Sequence, residues 1–329
     1  MAVTMKDIAK AAGVSVVTVS KIVNKQDRYI SEETRQRVLE IIKASGYVPN
    51  SAARSLKTKS SHTIGFILPD ISNPYYPEIA RGIEDEARSR GYAMIICNTD
   101  NDVEEEKKAV AFLNSKMVDG VIYTHSIAGS NNKIVKKIET PLVVVDRRVI
   151  GVREGVGKVY VDTEAAMHTS TSHLLEKGCK HIALISAPHN GFDDRVEGYF
   201  RAIKEAGIRR DNRLVYLGQY DVETGYNAIE QFVAQGLHFD GVSCGNDLIA
   251  LGVMRALNKH KIRVPEDVKV VGFDDIAFAR ISTPALTTVR QPAYEMGKKA
   301  AEMIIDYITE GKQMGECELP FALQVRETT

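Results

Sequence analysis

Between Thr4 and Lys57 the chain carries two motifs that constrain its fold more than any other stretch. TMKDIAKAAGVSVVTVSKIVN reads as two short helices around a tight turn, and YVPNSAARSLK opens at Tyr47. Thr4 is a competent N-cap, with Asp7 placed to answer it in a capping box. Ile8, Ala9 and Ala12 share a helical face. Gly13 supplies the positive φ that the turn requires. Ser15 caps the second helix, whose apolar face is Val19, Ile22 and Val23. Ser31, followed by Glu32 and Glu33, caps a third helix, expected to bury Val38, Leu39 and Ile42 and to stop at Gly46. Three helices with these faces make one small core.

The second helix leaves Val16, Val17, Ser20 and Lys21 outward. Its first two residues are those that reach base edges when such a helix lies in a major groove. Branched apolar side chains there suit thymine methyl groups, and Lys21 suits guanine O6 and N7. The alternative, that the valines extend the core, is weaker because turn, cap and recognition positions coincide in Gly-x-Ser-x-x-Thr-Val-Ser. In the second motif Asn50 can cap about two turns of helix over Ser51–Lys57, marginal alone in water. Ala52, Ala53 and Leu56 share a narrow face, so two copies can pack side by side and present Leu56 as a minor-groove wedge. An ordinary linker is the alternative, and Thr58–Ser61 is linker-like. The candidate DNA-contact set is therefore Thr4, Ser15, Val16, Val17, Thr18, Ser20, Lys21, Asn24, Asn50, Ala53, Arg54, Leu56 and Lys57.

The formal net charge of zero hides an asymmetry: residues 1–61 carry a net of +6 and the remainder −6. A basic module joined to an acidic body suits a DNA reader attached to a sensor. Cys97, Cys179, Cys244 and Cys317 are widely spaced with no CxxC pair, which favours free thiols over a disulfide or a zinc site. The chain opens with no signal-peptide pattern and has no long uncharged apolar run, so a cytoplasmic, nucleoid-associated location with no membrane partner is expected. No HExxH, GxSxG or Walker pattern occurs, and catalysis is not expected.

TMKDIAKAAGVSVVTVSKIVN together with YVPNSAARSLK resembles the lactose-repressor/galactose-repressor family of bacterial regulators, and the likeness runs to the C-terminus. The body supports this independently. From His62 onward the runs TIGFILP, AMIICNT, GVIYTH, PLVVVD, HIALISA, GVSCGN and VKVVGFD alternate with amphipathic helical segments, the pattern of parallel sheets covered on both faces. The resemblance implies an α/β chain: a helix-turn-helix domain at 1–46, a hinge helix and linker at 47–61, and a two-lobed, periplasmic-binding-protein-like effector and dimerisation domain at 62–329. It places lobe 1 at 62–160 and 289–319, and lobe 2 at 161–288 and 320–329.

Ligands of open parallel sheets sit beyond the carboxyl ends of the strands. Seven such ends carry polar or aromatic residues: Asn73, Tyr75 and Tyr76; Asp146 and Arg147; Arg195; Tyr220; Asn246; Asp274; and Gln291. Asp, Asn, Arg and Gln pair acceptors with donors in the manner of vicinal hydroxyls, and tyrosine rings pack on the C–H faces of a sugar. Each Asp or Asn alone reads as a cap or turn residue; their convergence does not. Two carboxylates balance two arginines, which fits a neutral polyol better than a phosphate. The set resembles that of ribose-binding members of the fold, closest to ribose-operon repressors, except that tyrosines replace the usual phenylalanines. The added hydroxyls either narrow the pocket or bond the sugar.

The expected ligand is thus ribose, ahead of another pentose, an aldohexose or a nucleoside, with no cofactor and no metal. The expected partner is a pseudo-palindromic operator bound by a homodimer, since the chain ends soon after LPFALQV without an extra heptad helix. A phosphoprotein co-repressor is a further input to consider, and a sugar-transport role the less favoured alternative. The resemblance implies a repressor of sugar-utilisation genes released from DNA by its ligand, although the sequence does not itself fix that sign.

Overall fold

A computed structural model describes residues 3–24, 26–47, 60–126, 132–147, 154–187 and 194–329. The chain divides into two compact units, Met1–Ser61 and His62–Thr329. The proposed hinge helix, with Asn50, Ala53, Arg54, Leu56 and Lys57, lies outside the described residues.

The first unit contains α1 (Met5–Ala12), α2 (Val16–Val23) and α3 (Glu32–Ser45). Their caps follow from side-chain chemistry. Thr4 and Asp7 form a reciprocal capping box, and Ser15 and Ser31 accept from the backbone N–H groups of Thr18 and Thr34. Gly13 and Gly46 end their helices at φ 66° and 62°, where a Cβ would be strained. Ile8, Ala9, Ala12, Val19, Ile22 and Val38 form the core. Leu39 corrects the sequence reading: it is exposed, because α3 turns Val38, Ile41 and Ile42 inward and leaves position 39 a hundred degrees away.

The second unit holds two six-stranded sheets. The first is built from β1 (Thr63–Leu68), β2 (Ala93–Asn98), β3 (Gly120–Tyr123), β4 (Leu142–Val145), β5 (Gly157–Tyr160) and β11 (Glu316–Glu318), in the order β11-β5-β4-β3-β1-β2. The second uses β6 (Ile182–Ser186), β7 (Val215–Leu217), β8 (Gly241–Cys244), β9 (Lys269–Asp274), β10 (Thr287–Arg290) and β12 (Ala322–Gln324), in the order β12-β10-β9-β8-β6-β7. All pairings are parallel except β10 with β12. In each sheet the strand order reverses beside the first strand, opening the crevice in which such folds bind ligands. The central strands are buried on both faces, as parallel strands require, while the edge strands β2 and β7 are partly exposed.

The expected lobe boundary at 289 is corrected. β10 pairs with β9 through Arg290, so the second sheet extends to that residue and the chain leaves it at Gln291. A strand cannot divide between lobes while its backbone groups bond one sheet.

Helices α4 (Tyr75–Ser89), α5 (Val103–Ser115), α7 (Thr163–Glu176), α8 (Asp194–Glu205), α9 (Val222–Ala234), α10 (Asp247–Lys259) and α12 (Ala293–Glu310) cover the sheets, with the short α6 (Asn132–Val135) and α11 (Ala277–Ile281) between them. Glycines let three pairs of helices touch backbone to backbone, Gly198 of α8 doing so against Glu164 of α7. A Cβ on Gly82 of α4 would lie 2.0 Å from the Tyr294 carbonyl oxygen, and one on Gly297 of α12 would lie 2.0 Å from that of Ile79. Gly225 and Gly252 do the same for α9 and α10. Among the described residues no helix is long and apolar enough to cross a membrane.

Candidate DNA-reading and effector sites

On α2 the outward face is Val16 and Val17, 40% and 63% exposed, with Lys21 beside them. Val17 therefore does not extend the core. Other members of the candidate set serve the fold directly. Thr4 gives its hydroxyl to Asp7 (2.7 Å), Ser15 and Thr18 share a hydroxyl bond (2.9 Å), and Asn24 donates back to the Ser20 carbonyl (2.7 Å). Thr4 thus shapes the start of α1, and Ser15, Thr18 and Asn24 shape the ends of α2. Sequence reasoning passed over Tyr29, which is 93% exposed beside Arg28 in the α2–α3 connection. The signal was an aromatic residue in a polar loop with no core face to join.

In the second unit the strand ends converge. Tyr75, at the start of α4, donates its hydroxyl to Asp146 Oδ1 (3.1 Å), and Tyr76 lies 3.4 Å from Asp146 Oδ2. Arg147 donates to the Tyr76 hydroxyl (2.9 Å) and to the His125 carbonyl (2.7 Å). Burial, then the neighbouring Asp146, push the Tyr75 phenol well up, so it is a neutral donor. From the second sheet, Gln291 donates to Asp274 Oδ1 (2.8 Å), and Arg195 stands 3.9 Å from the same oxygen. The Arg195 guanidinium lies 5.0 Å from the Tyr220 ring centroid, and that of Arg147 lies 5.9 Å from it, so one tyrosine meets arginines of both lobes.

The hydroxyls of Tyr75 and Tyr76 thus point at a carboxylate and a guanidinium of their own lobe, a use other than the two the sequence offered. Asn246 caps α10 through Ile249 N–H (2.9 Å) and donates to the Tyr220 carbonyl (3.3 Å), so its amide serves the fold as well. Asn73 accepts from Tyr75 N–H (3.1 Å).

Asn73, Tyr76, Arg147 and Tyr220 line a cavity of about 360 Å³ together with Asp70, Asp100, Asn101, Gln219 and Asp221, which the sequence reading did not select. The strand-end rule applied to β2 would have found Asp100 and Asn101, directly past AMIICNT. Three added carboxylates make the mouth acidic and correct the neutral balance expected from sequence. An anionic ligand is disfavoured further. Asp146, Asp274, Asp275, Asp100 and Asn101 all have positive φ (71°, 114°, 59°, 48° and 57°). Non-glycine residues in that region store strain, and here they cluster at the cleft. Burial pushes the Asp274 carboxyl up to about 7; Arg195 pulls it down and Asp146 adds to the rise.

Asp275, adjacent to Asp274, has a different role. Arg326 (2.5 Å) and Arg280 (3.0 Å) pair with its carboxylate, whereas Asp274 bonds Gln291 instead. All four cysteines are free, and among the described residues no group of three or more His, Cys, Asp or Glu is placed to hold a metal ion.

A two-lobed α/β unit with a polar cleft, carried behind a helix-turn-helix unit, defines a DNA-binding regulator with a ligand-binding body. Residues 4–50 match the family model for bacterial regulatory proteins of the lacI family, and residues 61–319 match that for periplasmic binding proteins and the sugar binding domain of the LacI family. The chain belongs to the LacI family of DNA-binding transcription regulators. It is 42% identical to the HTH-type transcriptional regulator RegA of Clostridium saccharobutylicum, over 96% of this chain and 95% of that protein. It is 38% identical to the ribose operon repressor of Halalkalibacterium halodurans, over 99% and 97%. Among solved structures, the lac repressor dimer bound to operator and the anti-inducer ONPF superposes with a TM-score of 0.88 at 25% identity, covering 100% of this chain and 99% of that one. These relatives are regulators rather than enzymes.

Proposed function

We propose that this protein is a homodimeric repressor of sugar-utilisation genes, released from a pseudo-palindromic operator when a neutral sugar, foremost ribose, binds between its lobes. The observation that carries the reading is the cleft. Two arginines, two buried carboxylates and three tyrosines converge there behind an acidic mouth that repels phosphate. The ribose operon repressor relative supports ribose as the sugar. The operator-bound lac repressor dimer supports the assembly. Exposed Phe278 and Ile281 on α11 (50% and 74%) support it too, as apolar surface available for burial. A two-fold dimer reads half-sites about 10 bp apart, and the location is cytoplasmic.

Calorimetry against pentoses, hexoses and nucleosides, with and without operator, tests the reading. Ribose should give the strongest binding, and operator should weaken it by the factor by which ribose weakens operator binding, typically about 1–3 kcal/mol. Equal ribose affinity with and without operator would sink the coupling.

Exchanging Val16 and Val17 for polar residues should change the operator selected from a randomised pool while altering non-specific DNA affinity by less than about threefold, since base contacts specify and phosphate contacts position. An unchanged consensus would remove both valines from base reading. Leu56→Ala should weaken operator binding about tenfold or more, the energy of a lost wedge, and leave ribose affinity of the free protein intact. Equal operator affinity would refute the wedge.

A further inference from the structure

Behind the cleft, Asp247 is fully buried at the first turn of α10 and does not line the cavity. Its Oδ1 accepts from the Thr288 hydroxyl of β10 (2.5 Å), and its Oδ2 accepts from the Ile276 backbone N–H (2.8 Å). Ile276 lies two residues past Asp274, and Thr288 three residues before Gln291. One carboxyl group therefore ties the start of α10 to the turn after β9 and to the body of β10. The turn it grips is the strained one, with Asp274 and Asp275 at φ 114° and 59°.

Gly272 supplies a second, independent observation. A Cβ there would lie 2.2 Å from Asp247 Oδ1, so β9 lacks a side chain where the carboxyl group sits. Burying a carboxyl group is costly unless its bonds are made. Apolar packing would fill the same space without that cost, but it would supply no acceptor for Ile276 N–H or Thr288.

We propose that Asp247 is a positioning residue of the effector site, holding Asp274, Gln291 and Asn246 in one geometry without touching the ligand. The effect on sugar affinity rests on the reading of the cleft given above; the clamp on the turn does not.

Two measurements separate these. Amide hydrogen exchange requires no sugar: D247N should accelerate exchange at residues 274–276 by about tenfold or more relative to the rest of lobe 2, the loss of one accepted hydrogen bond. Unchanged protection there overturns the clamp. Ribose calorimetry then tests the site. D247N should weaken binding about tenfold, T288V about fivefold, and T288S should stay near wild type because the donor is retained. The loss should also be non-additive with D274N in lobe 2 and additive with Y76F in lobe 1, which general destabilisation would not produce. Full ribose affinity in both D247N and T288V overturns the positioning role. If the wild type binds no sugar while D247N accelerates exchange, the sugar reading falls and the clamp stands.

Discussion

Asp274→Asn is expected to lower ribose affinity about a hundredfold, the upper range for charge-assisted bonds to a buried carboxylate, and to flatten its pH dependence. On the proposed reading, sugar hydroxyls donate to the ionised carboxylate, so affinity should fall as pH drops below about 7. The limiting slope is about tenfold per pH unit. Stability of the unliganded protein runs the other way. The folded value, about 7, lies above the ordinary 3.8, so the folded chain holds a proton that the unfolded chain has released between those limits. That contribution is complete below 3.8 and is lost as pH rises through 7. Burial raises Asp247 in the same direction. Calorimetry and thermal melting between about pH 5.5 and 8.5 check both signs. A D274N isotherm like that of the wild type would remove Asp274 from the site.

Gly82→Ala is expected to destabilise the effector unit by about 2 kcal/mol or more. Two effects oppose. Alanine is the better helix former by about 1 kcal/mol. Its methyl, however, would meet the Tyr294 carbonyl at 2.0 Å, and a backbone atom of a packed helix cannot rotate aside. Separating α4 from α12 to relieve the contact costs about 3 kcal/mol or more in lost packing, so the clash wins. Gly225→Ala, opposite the Ile249 carbonyl, should behave alike in lobe 2. Denaturant midpoints are the measurement, and a midpoint that rises on either substitution would show that the helix contact is looser than described.

Most of the local architecture was legible in the sequence. Thr4 with Asp7, Ser15, Ser31, Gly13 and Gly46 mark helix ends through chemistry confined to a few neighbouring residues. The continuous apolar runs marked the parallel strands for the same reason. Leu39 was misread because a short apolar run, Val38-Leu39 before Ile41-Ile42, does not by itself say which two faces meet the neighbours. The cleft was legible as a set of strand ends, but not as a set of bonds. Asp221 escaped because a polar residue before a helix looks like an ordinary cap until the opposite lobe is in place, whereas Asp100 and Asn101 were within reach of the strand-end rule at β2.

The sequence alone determined the class of protein: helix caps, a reading helix with Val16 and Val17 outward, and alternating strands and helices all follow from contacts within a few residues along the chain. Tertiary structure alone decided how the charges are shared. Tyr75 meets Asp146 across 71 positions, Asp247 meets Thr288 across 41, and Arg326 meets Asp275 across 51. Those partners are chosen by strand order and by where the chain leaves each sheet. Neither is written in local periodicity, because any of several carboxylates can satisfy a given donor until the sheets bring one of them within reach.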